Sequence, residues 1–169
     1  MGPMGSGKST VGTELAARLG AAFRDLDEAV EEEAGRPITE IFQAEGEAGF
    51  RDREETALRA IPGEGGRRVV ATGGGVVLRE ANRRLMAQTG QVVYLHAPVE
   101  TLLERVAGDA NRPLLQVADP RAKLEALQTE RDPLYRQADL TVETAGRSPA
   151  EIVDEILARL DSGTGNRVD

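Results

Sequence analysis

The chain has 169 residues, of which 30% are charged and 40% hydrophobic, and its formal net charge at pH 7 is −8. This length corresponds to one domain that is large enough to bury a hydrophobic core. The negative charge argues against nucleic acid or a membrane surface as a partner. Cysteine is absent from the sequence, which excludes disulfides and thiol chemistry. The residues contain no signal-peptide pattern and no transmembrane run, and we expect a cytoplasmic protein.

A phosphate-binding motif opens the chain: its residues, Gly2-Pro3-Met4-Gly5-Ser6-Gly7-Lys8-Ser9-Thr10, follow the pattern G-x-x-x-x-G-K-S of a P-loop. Glycines let successive backbone N–H groups point into one concavity, and the helix that follows adds its positive N-terminal end. Lys8 would contact the β- and γ-phosphates, and the Ser9 hydroxyl would bind Mg²⁺. A glycine-rich turn that only caps a helix is the alternative interpretation. The candidate nucleotide-binding residues are Gly5, Ser6, Gly7, Lys8, Ser9 and Thr10.

Helices and strands alternate after this motif. The apolar spacing predicts a helix that starts at Pro98, and others over 8–19, 27–34, 38–44, 47–61, 79–88, 119–131 and 148–160. Strands are predicted over 21–26, 69–72, 91–95 and 139–143. The alternation predicts an α/β fold in which a parallel sheet has helices on both faces and ligands lie at the carboxyl ends of the strands.

Two segments have the composition of loops. Residues 108–118 contain Gly, Asp, Asn and Pro together with Arg112, and we predict that they form a mobile lid. Residues 161–169 form a tail rich in Gly, Ser and Asn that we expect to be disordered. The sequence shows no internal repeat and no linker, so we predict one domain over residues 1–160.

Two acidic residues, Asp25 and Asp27, follow the first predicted strand. One carboxylate could organise a Mg²⁺ shell through water, and the other could orient or deprotonate a substrate hydroxyl. Alternatively, the pair caps the next helix, whose dipole favours acidic side chains at its start. Spacing alone leaves both interpretations open, and Asp27 could serve as both cap and ligand.

Three glycines, Gly73, Gly74 and Gly75, follow the second predicted strand. Without side chains, they would let a ligand approach the backbone and accept hydrogen bonds from its N–H groups. The alternative interpretation is a flexible turn.

Three arginines are distinguished from the many expected at the surface by their context. Arg51 follows Phe50 in a helix that could cover the site. Arg112 lies in the predicted lid, where a cation could meet the charge of a transition state. Arg131 begins the segment Arg131-Asp132-Pro133-Leu134-Tyr135. His96, the single histidine, lies at a strand end, where a structural role is favoured over a catalytic one.

As a set, these residues resemble the shikimate kinase family. The P-loop is shared with many kinases, whereas an Asp-x-Asp, a glycine triplet and two arginines in combination are much more specific. The matching segments occur in the family's order from residue 2 to about 160, and they are Gly2 to Gly12, Asp25-Leu26-Asp27, Phe50-Arg51, Thr72-Gly73-Gly74-Gly75, Arg112-Pro113-Leu114-Leu115 and Arg131-Asp132-Pro133-Leu134-Tyr135.

The resemblance implies a kinase that moves the γ-phosphoryl group of ATP to the 3-hydroxyl of shikimate, on the route to chorismate and the aromatic amino acids. It implies a substrate-binding region over residues 27–61, in which Asp27 holds shikimate hydroxyls and helps to orient or deprotonate the nucleophile. Arg51 and Arg131 would clamp the shikimate carboxylate, and Gly74, between Gly73 and Gly75, would bind a ring hydroxyl through its backbone. We expect a monomer.

The same resemblance assigns residues to the nucleotide. Lys8 and Arg112 would stabilise the transferring phosphoryl group. Ser9 would ligate Mg²⁺, with Asp25 assisting through water. Arg105 and Arg147 match positions that flank the adenine.

One feature departs from the family, which has an apolar strand immediately before the P-loop, at the centre of a sheet of order 2-3-1-4-5. In this sequence Met1 alone precedes Gly2. Without that strand, the predicted strands at 69–72 and 92–95 lose their shared neighbour and leave buried backbone groups unpaired. We expect that the true start of the protein lies upstream.

Two other functions are weighed against this one. Another small P-loop kinase, acting on gluconate or a nucleoside monophosphate, is opposed by the Asp-x-Asp, the glycine triplet and Arg131. A non-catalytic relative that only binds a nucleotide or small ligand is opposed by the intact Lys8, Ser9, Asp27 and Arg112.

Overall fold

The structure, a computed structural model, describes residues 1–106, 117 and 119–163. Its helices are α1 (Lys8–Leu19), α2 (Leu26–Ala34), α3 (Ile38–Ala60), α4 (Glu80–Thr89), α5 (Val99–Val106), α6 (Pro120–Tyr135) and α7 (Pro149–Gly163). Its strands are β1 (Ala22–Asp25), β2 (Arg68–Ala71), β3 (Val93–His96) and β4 (Leu140–Glu143), and short 3₁₀ turns cover Ile61–Glu64 and Val76–Leu78. The alternation predicted from the sequence is therefore present.

The four strands form two parallel pairs. β1 pairs with β2 from Ala22 opposite Arg68 to Asp25 opposite Ala71. β3 pairs with β4 from Val93 opposite Leu140 to His96 opposite Glu143. The predicted order 2-3-1-4-5 counts the strand before the P-loop as its first strand. In that order, β1 and β2 are strands 2 and 3, and β3 and β4 are strands 4 and 5. The two pairs therefore lie on either side of the position of that first strand.

Met1 lies at that central position. Its ammonium group donates to the carbonyl of Val93 at 2.6 Å, and its carbonyl accepts from the N–H of Leu95 at 2.9 Å. Burial, reinforced by the positive charge of Lys8, lowers the pKa of the Met1 ammonium group to about 5. Met1 thus pairs with β3 as one residue of a parallel strand.

A cavity of about 390 Å³ lies between β2 and β3, bordered by Met1. Apolar side chains from α1, both strands and α7 line much of it, including Val11, Leu15, Val69 and Ile156. Since β2 and β3 belong to different sheets, the prediction that they lack a shared neighbour agrees with the observed pairing.

Three clusters of buried side chains make up the core. One joins α2, α3 and the 3₁₀ turn at Val76–Leu78 to Tyr94 and Tyr135. The second packs α1 and α7 against β3 and β4. The third lies beneath the P-loop, between α5 and Leu124 of α6. None of the helices over the described residues is long and apolar enough to cross a bilayer.

Three helices differ in detail from the prediction. The two pieces predicted over 38–61 form one helix with a kink at Gly46, whose φ of 69° and ψ of −175° are not helical. α6 was predicted to end near Arg131, but it continues through Pro133 to Tyr135, because the buried Tyr135 ring anchors the last turn in the core. α7 was predicted to end at residue 160 and extends to Gly163.

Candidate active site

The P-loop connects Met1, which lies at the central strand position, to α1. Gly5 and Gly7 have positive φ angles of 78° and 89°, which residues other than glycine rarely adopt. A Cβ atom on Gly5 would lie 2.9 Å from Cγ1 of Val106. The Gly7 carbonyl accepts the first α1 hydrogen bond, from the N–H of Val11 at 2.9 Å. Glycine is therefore needed both for the curl of the loop and for its close packing on α5.

The polar side chains of this loop are arranged around its concavity. Lys8 donates from Nζ to the carbonyl of Pro3 at 2.7 Å, so its ammonium group lies across the loop. Ser6 is fully buried, whereas Thr10 is exposed in the first turn of α1. The curl, the ammonium group and the helix N-terminus have the arrangement that the predicted anion site requires, and the binding of phosphate here stays a prediction.

Asp25 connects this loop to the end of β1. Its Oδ2 accepts from the Ser9 hydroxyl at 2.7 Å, and its Oδ1 accepts from the backbone N–H of Asp27 at 3.0 Å. Asp25 therefore caps α2 and also contacts the predicted magnesium ligand Ser9. The cap is observed, and the role of Asp25 at magnesium stays a prediction. A hydroxyl and a carboxylate are hard oxygen donors that suit Mg²⁺, which retains waters and binds phosphates alongside few protein ligands.

Asp27, in the first turn of α2, faces the end of β2. A Cβ atom on Gly73 would lie 2.8 Å from Oδ1 of Asp27 and 2.7 Å from Oε1 of Glu54. The absence of a side chain at Gly73 therefore allows two carboxylates to approach the backbone at this strand end. Asp27 and Glu54 are close enough for the charge of Asp27 to raise the pKa of Glu54.

The other two glycines of the triplet are enclosed in the same way. A Cβ atom on Gly75 would lie 2.1 Å from Nη2 of Arg51. One on Gly74 would lie 3.4 Å from both the Gly2 carbonyl oxygen and the Tyr135 hydroxyl. The triplet is thus a surface on which side chains pack, and its middle residue lies beside the start of the P-loop.

The segment after the triplet is tied down on both sides. Arg79 donates to Glu55 at 2.7 Å and to Asp52 at 2.6 Å, which attaches the segment to α3. The buried side chain of Asn82 donates to the carbonyl of Val76 at 3.1 Å. These bonds oppose the interpretation of the glycines as a flexible turn.

Two buried arginines lie in this region: Arg51 borders Gly75, and Arg131 is close enough to Glu54 to act on its charge. Arg51 is 7% exposed and donates from Nη1 to Oε2 of Glu54 at 2.8 Å. Arg131, on α6, is 5% exposed. The Nε atoms of both arginines and Oε1 of Glu54 are buried without a hydrogen-bond partner among the described residues. This corner therefore offers buried cationic donors in a protein whose net charge is negative.

Glu54 and Tyr135 belong to this site, and the sequence reasoning missed both as functional residues. Glu54 is fully buried, and burial raises the pKa of its carboxyl group, an effect that the positive charge of Arg51 partly offsets. Its position three residues after Arg51, on the same helical face, was the available signal. Tyr135 donates from its hydroxyl to the carbonyl of Gly74. Its signal was the four-residue spacing from Arg131, which the expected helix end concealed.

The predicted adenine-flanking residues lie on the other side of the P-loop. Arg105 donates to the carbonyl of Gly5 at 3.3 Å and to the carbonyl of Thr144 at 2.8 Å. Arg147 donates to the carbonyl of Glu143 at 3.0 Å and to Glu155. Both arginines thus lie near the loop that follows β4. Arg112 and the rest of the predicted lid except Val117 lie outside the described residues.

His96 is placed apart from these groups. Its Nδ1 lies 2.7 Å from Oε2 of Glu143, and its Nε2 lies 3.4 Å from Nε2 of Gln128. Its contacts link β3, β4 and α6, which accords with a structural role.

A phosphate-binding loop beside a pocket with two buried arginines and a carboxylate defines a P-loop phosphotransferase that acts on a small anionic acceptor. The sequence profile of the shikimate kinase family matches residues 4–161. A shikimate kinase from Pseudomonas paraeruginosa is 51% identical over 161 residues, which cover 95% of this chain and 93% of that protein. The chain belongs to the shikimate kinase family.

Solved structures agree with this assignment. A shikimate kinase from Acinetobacter baumannii, solved in complex with shikimate, superposes with a TM-score of 0.92 at 44% identity and covers 99% of this chain and 92% of its own. A gluconokinase from Sinorhizobium meliloti covers 100% of this chain and 95% of its own, with a TM-score of 0.62 at 24% identity. The second likeness shows a shared fold alone.

Proposed function

We propose that this protein transfers the γ-phosphoryl group of ATP to the 3-hydroxyl of shikimate, giving shikimate 3-phosphate and ADP. The observation that carries the proposal is the pair of buried arginines, Arg51 and Arg131, beside a glycine triplet that touches the P-loop. This juxtaposition suits an acceptor that has a carboxylate at one end and a hydroxyl near the nucleotide. Shikimate has both.

The acceptor is held at both ends of the pocket. Arg51 and Arg131 bind its carboxylate through charge-assisted hydrogen bonds, which are strong in a buried site. Gly74 binds a ring hydroxyl through its backbone, with Gly73 and Gly75 leaving room for the ring. Asp27 accepts a hydrogen bond from the reacting hydroxyl.

The nucleotide is held on the other side of Gly74. Backbone N–H groups of Gly5, Ser6 and Gly7 and those at the start of α1, including Thr10, surround the phosphates. Ser9 and, through water, Asp25 would hold Mg²⁺, which would supply positive charge beside the phosphates of the nucleotide. Lys8 and Arg112 stabilise the transferring group, while Arg105 and Arg147 flank the adenine.

The reaction is then a single displacement. The 3-hydroxyl oxygen attacks the γ-phosphorus, the bond from that phosphorus to the bridging oxygen of ADP breaks, and Asp27 takes the hydroxyl proton. Little covalent chemistry is asked of the protein, so positioning and electrostatic stabilisation supply most of the rate. We propose a monomer as the active form.

A competition between acceptors tests the proposal. The protein is incubated with Mg-ATP and equal concentrations of shikimate, gluconate and a nucleoside monophosphate, and the phosphorylated product is identified by mass spectrometry and ³¹P NMR. We expect a phosphomonoester at the 3-oxygen of shikimate. Phosphorylation of gluconate or the nucleotide in preference to shikimate would overturn the proposal.

A further inference from the structure

The Tyr135 hydroxyl lies against Gly74, the middle residue of the glycine triplet. Arg131 and Tyr135 are four residues apart on α6, so both side chains project from the same face of the helix. The Tyr135 hydroxyl donates to the Gly74 carbonyl. Burial raises the pKa of Tyr135, and Arg131 is close enough for its positive charge to lower it in part. The Tyr135 side chain therefore bonds to the glycine triplet and lies within the electrostatic reach of Arg131.

The bond to Gly74 adds a restraint at the middle of the triplet, where the carbonyls of Gly73 and Gly75 already accept from the N–H groups of Val76 and Leu78. Three consecutive glycines have more backbone freedom than any other tripeptide, and ordering them has a correspondingly large entropic cost. A hydrogen bond to the Gly74 carbonyl fixes the plane of the peptide between Gly74 and Gly75. The same helix face holds Arg131, so one rigid element sets both the cation and the backbone.

We propose that Tyr135 is a positioning residue for the acceptor, because its hydroxyl couples the carboxylate-binding Arg131 to the hydroxyl-binding Gly74. The inference rests on the proposed function and extends it by naming what aligns the two ends of the pocket. Tyr135 itself transfers no proton. Burial raises its pKa to about 12, so its hydroxyl is a protonated donor at neutral pH.

Tyr94 offers a matched control. Its ring stacks on that of Tyr135, with centroids 4.9 Å apart and planes 26° apart, and both residues are buried. Its hydroxyl, however, donates to Oδ1 of Asp132 at 2.9 Å and belongs to no part of the acceptor pocket. Replacing either tyrosine by phenylalanine removes one buried hydroxyl from the same stacked pair and preserves the ring.

Steady-state kinetics of Tyr135→Phe and Tyr94→Phe test the coupling. For Tyr135→Phe we expect the KM for shikimate to rise about tenfold, which is the effect of leaving one buried carbonyl unpaired. The KM for ATP should stay within twofold, and Tyr94→Phe should leave both constants within twofold. Equal kinetics for the two variants would overturn the inference, whereas a wild-type protein without shikimate-dependent turnover would overturn the proposed function instead.

A second measurement uses a variant that keeps Tyr135. The chain has two tyrosines and no tryptophan, so Tyr135 is the single tyrosine of Tyr94→Phe and dominates its intrinsic fluorescence. Shikimate should change this fluorescence saturably, because the proposed carboxylate ligand Arg131 acts electrostatically on the Tyr135 phenol. Gluconate, added to the same concentration, should change it far less. A signal unaffected by saturating shikimate in an active Tyr94→Phe protein would contradict the coupling.

Discussion

The nucleotide side and the acceptor side of the site are built in different ways. On the nucleotide side, most of the groups come from residues 2–10, which are consecutive, and Asp25 adds one carboxylate. On the acceptor side, the groups come from α2, α3, the glycine triplet and α6, which are separated by up to about a hundred residues. A phosphate site can be encoded in one loop, whereas the acceptor site exists only once the helices are packed.

The two sides also differ in their electrostatics. The ammonium group of Lys8 is half-buried and lies against a carbonyl oxygen. On the acceptor side, Arg51, Glu54 and Arg131 are all buried, so each ionised group depends on its neighbours for compensation. Changes on the acceptor side should therefore alter shikimate use and leave ATP binding intact.

The largest expected effect of this kind is on turnover. In Asp27→Asn the side chain keeps its size but can no longer take the hydroxyl proton, and general base catalysis contributes about 10²–10⁴-fold. We expect kcat to fall by that factor while the affinity for Mg-ATP, measured by calorimetry, is unchanged. Retained turnover would remove Asp27 from the mechanism as the acceptor of the hydroxyl proton.

A smaller loss is expected when the carboxylate loses a buried cation. Arg131→Met keeps much of the length of the side chain and removes its charge, and such truncations cost about 2–5 kcal/mol in buried charge pairs. The kcat/KM for shikimate should fall about 10²-fold or more, with the KM for ATP within twofold. Arg136→Met is the control, since Arg136 lies on the same helix, is 56% exposed and pairs with Asp132. Similar losses in both variants would indicate damage to α6 as a whole.

The cavity between β2 and β3 predicts an effect on stability and not on acceptor choice. Placing about eight apolar, β-forming residues before Met1 would fill the central strand position, and their burial would outweigh the ordering cost by roughly 2 kcal/mol. The melting temperature should rise by roughly 4–8 °C. A polar extension of equal length is the control. Equal melting temperatures for the chain, its apolar extension and its polar extension would contradict the expectation of an upstream strand.

The smallest expected effect is a pH dependence of the protein's stability that arises from Glu54. Because burial raises its folded-state pKa, the folded protein binds more protons than the unfolded chain just above the ordinary carboxyl range. This contribution stabilises the fold at low pH and is lost as the pH rises. The melting temperature of wild type minus that of Glu54→Gln should therefore decrease from about pH 4 upwards.

Glu47→Gln is the control for this measurement. Glu47 also pairs with Arg51, at 3.2 Å, but its side chain is 48% exposed. The difference between wild type and Glu47→Gln should depend on pH much less. A wild-type advantage over Glu54→Gln that grows with pH would contradict the direction of the pKa shift.

The sequence was enough to predict the features that depend on residues close together in the chain, such as helix starts and breaks. The helices predicted from residues 119 and 148 begin there, where the Asp119 side chain caps α6 and the Ser148 and Glu151 side chains form reciprocal bonds at the start of α7. The kink at Gly46 follows from the two helical pieces that the sequence indicated. The shikimate kinase resemblance then supplied the acceptor residues, which spacing alone left undecided.

What the sequence did not predict depends on tertiary packing. Glu54 looks like one more acid in a charged helix until burial places it between Arg51 and Gly73. The end of α6 was predicted too early because Pro133 normally disrupts a helix, whereas here the buried Tyr135 holds the last turn. The enclosure of each glycine of the triplet by a different side chain is likewise visible only in the fold.

The most direct test of the central claim is the initial rate of ADP release from Mg-ATP, with and without shikimate. The assay is run on this chain and on the chain extended before Met1 by the apolar strand. We predict slow release without shikimate and a saturable increase with it. Release from both chains that is independent of shikimate, or no release from either, would contradict the account.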